Sequence, residues 1–127
     1  MSKSPGHQKH PDHHVIEHHL KERVTLRVKD EIIAESSDVI RVDEDGHPTR
    51  YYFPRGDVRM ERLQPTSTTS ECPFKGVASY FTLNADGRQL KDAAWSYETP
   101  YDEHLELKER VAFWEERAPE LAMNVAA

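Results

Sequence analysis

The chain has 127 residues, 36% of them apolar and 31% charged, and a formal net charge of −6. One domain with a modest core fits that length, and acidic and basic residues interspersed along it exclude a nucleic-acid scaffold, which needs clustered lysine and arginine. No apolar run approaches the roughly 20 residues that cross a membrane, and a single cysteine, Cys72, makes no internal disulfide, so a cytoplasmic protein is expected.

Residues 1–19 hold six of the eight histidines, His7, His10, His13, His14, His18 and His19, together with Pro5, Gly6 and Pro11. They read as an irregular His-rich arm. The arm has no apolar segment of the kind a secretory signal needs. Residues 20–117 read as a β-rich domain, and 118–127 as a weakly patterned tail.

Val24–Val28 alternates apolar and polar residues, the pattern of a half-buried strand. Lys29-Asp30-Glu31 turns the chain, with Asp30 tolerating a left-handed conformation, and Ile32–Ser36 returns. Asp38–Val42 is a third short strand. Asp43–Pro48 reads as a loop by composition. Arg50–Phe53 is aromatic and β-prone, and Pro54-Arg55-Gly56-Asp57 ends it. Val58–Leu63 reads as a further strand, and Pro65–Ser70 as a polar loop leading to Cys72. Val77–Leu83 is the clearest strand, joined through Asn84-Ala85-Asp86-Gly87, a hairpin signal, to Leu90–Tyr97. Thr99-Pro100 suits the N-cap and first position of a short helix. Residues 110–114 fit a strand or a continuing helix, with the strand favoured. The expected fold is mainly β: a single compact domain of antiparallel strands and hairpins, with one short helix near the C-terminus.

Candidate chemistry gathers at the turns. In Cys72-Pro73-Phe74-Lys75-Gly76, a lysine amine near a thiol favours the reactive thiolate, although a buried thiol beside a surface lysine is the bland alternative. Arg55 suits bidentate recognition of a carboxylate or phosphate. Asp57 suits a general base or an orienting group, against a plain turn-capping role. Trp95 and Tyr97 share a face by strand period, as packing or as pocket walls. His10, His13 and His14 with Asp12 carry ligand-type atoms, but a metal needs three or four converging ligands held by structure, so neither metal nor cofactor is expected. For His104 a solvent-facing helix position is the ordinary expectation. Asp43 and Asp45 read as solvated loop acids.

Ile33-Ala34-Glu35-Ser36, Tyr52 through Val58, Thr69 through Tyr80, Ala94 through Glu98 and Val111-Ala112-Phe113 together carry a resemblance. From about Val24 to Trp114 the chain resembles the bacterial DUF427 family, a domain of unknown function sometimes labelled a nucleotidyltransferase. Pro11-Asp12-His13 is also similar to that family's arm. Asp30 stands where the family commonly has Gly, and Glu35 where it has Asp. The resemblance implies a small, mainly-β domain and no verified activity. Nucleotidyl transfer requires metal-held phosphates and a strand-borne acid pair, and the expected Gly-Ser followed by Asp-x-Asp is missing.

Two functions are expected. In the first, a pocket at the strand ends binds a small anionic or carbonyl-bearing molecule. Tyr52, Arg55, Trp95 and Tyr97 are its ligand-binding residues, Cys72, Lys75 and Asp57 its catalytic ones, and all seven share one hollow. In the second, the chain is a non-enzymatic protein-interaction domain, in which these residues hold the fold. Homo-oligomerisation fits either through an open sheet edge. No nucleic-acid or membrane partner is expected.

Overall fold

The computed structural model describes residues 3–126; residues 1 and 2 of the predicted arm and 127 of the predicted tail lie outside it. Ten strands form three antiparallel sheets among the described residues. The first sheet has the order β1 (Val15–Leu20), β4 (Val39–Glu44), β5 (Arg50–Tyr52). The second has β10 (Leu121–Val125), β2 (Val24–Val28), β3 (Glu31–Ser36). The third has β6 (Leu63–Cys72), β7 (Gly76–Ala85), β8 (Arg88–Tyr97), β9 (Val111–Phe113). Phe53 and Val111 exchange both backbone hydrogen bonds, at 2.8 and 2.9 Å, and so tie the first sheet to the third.

The mainly-β expectation holds, and residues 111–113 are strand. Several boundaries differ from the sequence reading. The only α-helix among the described residues, α1 (Pro5–Lys9), lies at the N-terminus, whereas the segment after Pro100 forms a 3-10 helix at Asp102–Leu107. Tyr101, not Thr99, occupies its N-cap. The His-rich arm is ordered as α1 and β1, and β1 pairs with β4 along its whole length. The tail supplies β10, paired with β2. Val58–Leu63 is largely a 3-10 turn (Met60–Arg62) rather than a strand.

Residues 65–70 are strand, not loop. β6 is an edge strand, where threonines fit the pleat with one face in water and a proline removes no interior hydrogen bond. In the first hairpin the positive φ falls on Lys29 (52°) and not on Asp30. Asp30 therefore needs no glycine-like freedom.

The core has two parts. Leu26, Ile33, Phe53, Leu83 and Phe113 anchor the larger, in which the rings of Phe53 and Phe113 meet edge to face at 5.9 Å. Ile40, Val42, Tyr52, Trp95, Tyr97 and Leu107 belong to the smaller, which backs the site. β8 is irregular at Asp92, whose φ is 54° within the strand. The β6–β7 register slips between Pro65 and Thr69, and the β7–β8 register between Phe81 and Leu83. The buried Asp92 carboxylate accepts hydrogen bonds from the Thr66 and Thr68 hydroxyls, each at 2.8 Å, and so pins both irregularities.

No helix of the described residues is long and apolar enough to cross a membrane.

A candidate small-molecule pocket around Lys75

The Cys72–Gly76 turn joins β6 to β7 and hangs over the open end of the smaller core. Gly76 has a φ of 126°, a conformation that side chains resist, and a Cβ there would stand 3.3 Å from the Thr99 carbonyl oxygen. This lets the turn close tightly enough to send Lys75 inward. Gly76→Ala is expected to lower stability by about 1–3 kcal/mol, read as a drop in melting temperature.

Beneath the turn lies a cavity of about 430 Å³. Six aromatic side chains line it: Tyr52, Phe74, Tyr80, Trp95, Tyr97 and Trp114. The Trp95 indole N–H donates to the Tyr52 hydroxyl at 3.2 Å, and the two rings meet edge to face. Burial pushes the Tyr52 and Tyr97 phenols well above their usual range. Both stay neutral and able to donate.

The polar floor is one ion pair. Lys75 Nζ lies 2.5 Å from Glu44 Oε1, with the two side chains 8% and 9% exposed. Burial favours loss of the lysine's charge, but its acidic surroundings, with the Glu44 carboxylate hydrogen-bonded to it, outweigh this, and the Lys75 pKa rises above the usual value. Burial raises the Glu44 carboxyl, while Lys75, His13 and His47 draw it below the usual carboxylate range. An ammonium has three donors, and Glu44 is the one side-chain acceptor it meets among the described residues. At the rim, the Arg50 guanidinium sits 5.4 Å from the Trp95 ring centre and pairs with Glu116 at 2.7 Å.

Five of the seven expected site residues share this cavity: Tyr52, Cys72, Lys75, Trp95 and Tyr97. The expectation that Arg55 and Asp57 join them is corrected, since neither lines it. After Pro54 the chain enters a 3-10 turn, Arg55–Asp57. Arg55 then points to the other side, donating to the Ser96 hydroxyl (2.8 Å), to Glu98 (3.1 Å) and to the Glu109 carbonyl (2.9 Å). It clamps β8 to the segment before β9. Asp57 is exposed, and its backbone N–H donates to the Pro54 carbonyl to close the turn.

Glu44, His47, Arg50, Phe74, Tyr80 and Trp114 escaped the sequence reading. Glu44 had a signal: Ile40, Val42 and Glu44 alternate, so β4 carries its inward face two residues past the expected end. Asp43 and Asp45 fall on the opposite face. Asp43 pairs with Thr49, Arg41 and His18, and Asp45 with His14.

His104 is a second correction. It is 3% exposed, with Nδ1 lying 2.6 Å from Glu17 Oε2 and Nε2 lying 2.9 Å from His7 Nε2. It sits at a kink in the Asp102–Leu107 segment, with a non-helical φ of −131° and ψ of 33°, and not on a regular helix face. His13 and His14 do not converge with His10 and Asp12; they go to Glu44 and Asp45. Glu17, His19 and Glu106 hold ligand-type atoms within 4.8 Å of one another, but the latter two are exposed and already pair at 2.6 Å.

A comparison with curated proteins found no match. Residues 17–124 match the profile of a family described as a domain of unknown function (DUF427), and that span takes in all ten strands except the start of β1 and the last residue of β10. The chain belongs to the DUF427 family.

Proposed function

We propose that the cavity binds a small molecule with a planar or apolar body and a carbonyl group, and that Cys72 is placed to add to that carbonyl. One observation carries the reading: a buried ammonium with a single side-chain partner faces an aromatic hollow. Buried donors seek acceptors, and a ligand oxygen supplies one. The Lys75 charge is already balanced by Glu44, and that of Arg50 by Glu116. A neutral carbonyl or a single carboxylate therefore suits the site better than a multiply charged anion.

The chemistry balances without a further reactant. The thiol sulfur bonds to the carbonyl carbon, the carbonyl π bond opens onto oxygen, and the thiol proton passes to that oxygen. Lys75 donates a hydrogen bond to the oxygen as charge develops on it. The product is a hemithioacetal, formed reversibly. A lone thiol of this kind suits the reducing cytoplasm.

The test is a thermal-shift screen with aromatic aldehydes, aryl ketones and aromatic carboxylates. Compounds that stabilise the wild type are expected to leave Glu44→Leu/Lys75→Met unmoved, since that double variant keeps the volume and loses the donor. Identical responses to every compound refute the pocket. Native Cys72 is expected to be alkylated by iodoacetamide and protected by any compound that binds. A thiol inert until the chain unfolds turns the assignment to the interaction-domain alternative.

A further inference from the structure

The wall of the cavity at Phe74 and Glu44 is held from behind by a segment that lies before the family-matched residues. We infer that residues 4–14 are a strap that belongs to the site, with Ser4, Gly6 and His13 as positioning residues for Phe74 and the Glu44–Lys75 pair. This rests on the pocket reading for its purpose, but its geometry stands apart from it.

The strap grips the turn at three points. The Pro73 carbonyl accepts two hydrogen bonds, both at 2.7 Å, one from the Ser4 hydroxyl and one from the Gly6 backbone N–H. Ser4 is fully buried, and its own N–H donates to Glu103 at 2.9 Å. Gly6 lies so close that a Cβ would stand 2.7 Å from Phe74 Cδ1 and from the Pro73 oxygen. Only a residue without a side chain fits between strap and turn.

The Phe74 ring is then held between two imidazoles. His13 stacks on it at 4.3 Å with planes 19° apart, and His7 meets it edge-on at 5.0 Å. His13 Nε2 also lies 3.0 Å from Glu44 Oε2, the oxygen that Lys75 leaves unused. Glu44 thus has the strap on one oxygen, with His47 Nε2 farther off at 3.6 Å, and the cavity's ammonium on the other. A buried carboxylate with both oxygens engaged has little freedom to swing, so the strap sets where Lys75 presents its remaining donors. His7 is fastened in turn by His104, itself hydrogen-bonded to Glu17 of β1. The strap's anchor is therefore the first sheet and the 3-10 helix, not the turn it holds.

Gly6→Ala in the full chain tests this, with iodoacetamide alkylation of Cys72 as the readout. Release of the strap is expected to speed alkylation about tenfold and to speed hydrogen exchange at the amides of residues 74–76. His13→Ala should act in the same direction, and His13→Gln, which keeps a donor for Glu44, should restore part of the slow rate. Asp92→Asn, a variant remote from the turn, controls for general loosening and should leave the rate within about twofold. Unchanged alkylation and exchange in both Gly6→Ala and His13→Ala overturn the strap, whatever the ligand screen returns. An equal acceleration in Asp92→Asn overturns it too, because the effect is then one of global stability. If the strap variants respond as expected while no carbonyl compound binds, the pocket reading falls and the strap stands.

Discussion

Glu44→Gln is expected to destabilise the folded chain by about 3–5 kcal/mol, the cost of leaving a buried charge without its partner. Lys75 and Glu44 are both more than nine-tenths buried, so water in the cavity makes up only part of the lost negative charge. Lys75→Met should cost a similar amount by stranding the carboxylate, softened by His13 on its other oxygen. The double variant Glu44→Leu/Lys75→Met should recover most of the loss, since two apolar groups of like volume replace a pair whose attraction mostly repaid its own desolvation. Chemical denaturation of the wild type, Glu44→Leu, Lys75→Met and the double variant closes a cycle and gives the coupling. A single-variant loss under about 1 kcal/mol would mean that the pair behaves as a solvent-exposed bridge.

The pH dependence of the same pair has two limbs. Glu44 titrates lower in the folded chain than unfolded. Its contribution is therefore complete above the unfolded value of about 4.3 and fades as pH falls through the folded one. Lys75 titrates higher when folded. Its contribution is complete below about 10.4 and is lost as pH rises through the folded value. Wild type should lose stability at both extremes, and the double variant should lose less at each.

Asp92→Ala should be the largest single loss away from the pocket, about 3 kcal/mol. Two charge-assisted hydrogen bonds disappear, and alanine must hold a φ of 54° that costs roughly 1 kcal/mol. For a chain of this length each kcal/mol moves the melting temperature by roughly 3–6 °C. Asp92→Asn should lose less, because asparagine tolerates the left-handed region and keeps one acceptor. Burial raises the Asp92 carboxyl, but the Thr66 and Thr68 hydroxyls outweigh this, and its pKa falls below the usual value. Its stabilisation is present above about pH 4 and is lost as pH falls through the folded pKa. Asp92→Asn should abolish that acid limb. If the melting temperature of Asp92→Ala equals that of the wild type, the carboxylate does not pin the two register slips.

Local pattern made much of the fold legible. Val24–Val28, Val77–Leu83 and Leu90–Tyr97 alternate or carry β-branched and aromatic residues, and each is a strand. Strand period also put Trp95 and Tyr97 on one side, where both line the cavity. The Cys72–Gly76 turn was readable because proline and glycine restrict or free the backbone locally, whatever surrounds them. Edge strands were not readable in the same way. β6 and β10 bury little, so their residues look like loop and tail, and only their partners β7 and β2 make them strands.

The site divides along the same line. That Cys72, Lys75, Tyr52, Trp95 and Tyr97 are near turns and strand ends follows from sequence alone. That Lys75 meets Glu44, 31 residues away, does not, because an ion pair between distant residues is a property of how the sheets close. The same holds for Arg55, whose guanidinium the 3-10 turn after Pro54 sends to Ser96, Glu98 and Glu109, and for His104, which is buried by contacts 87 and 97 residues away. Sequence determined the strands with a clear alternation, the tight turn and the aromatic faces, since backbone preference and side-chain period act over a few residues. Tertiary structure alone decided which charges meet and which point elsewhere, since Coulomb and hydrogen-bond partners are chosen by proximity in space.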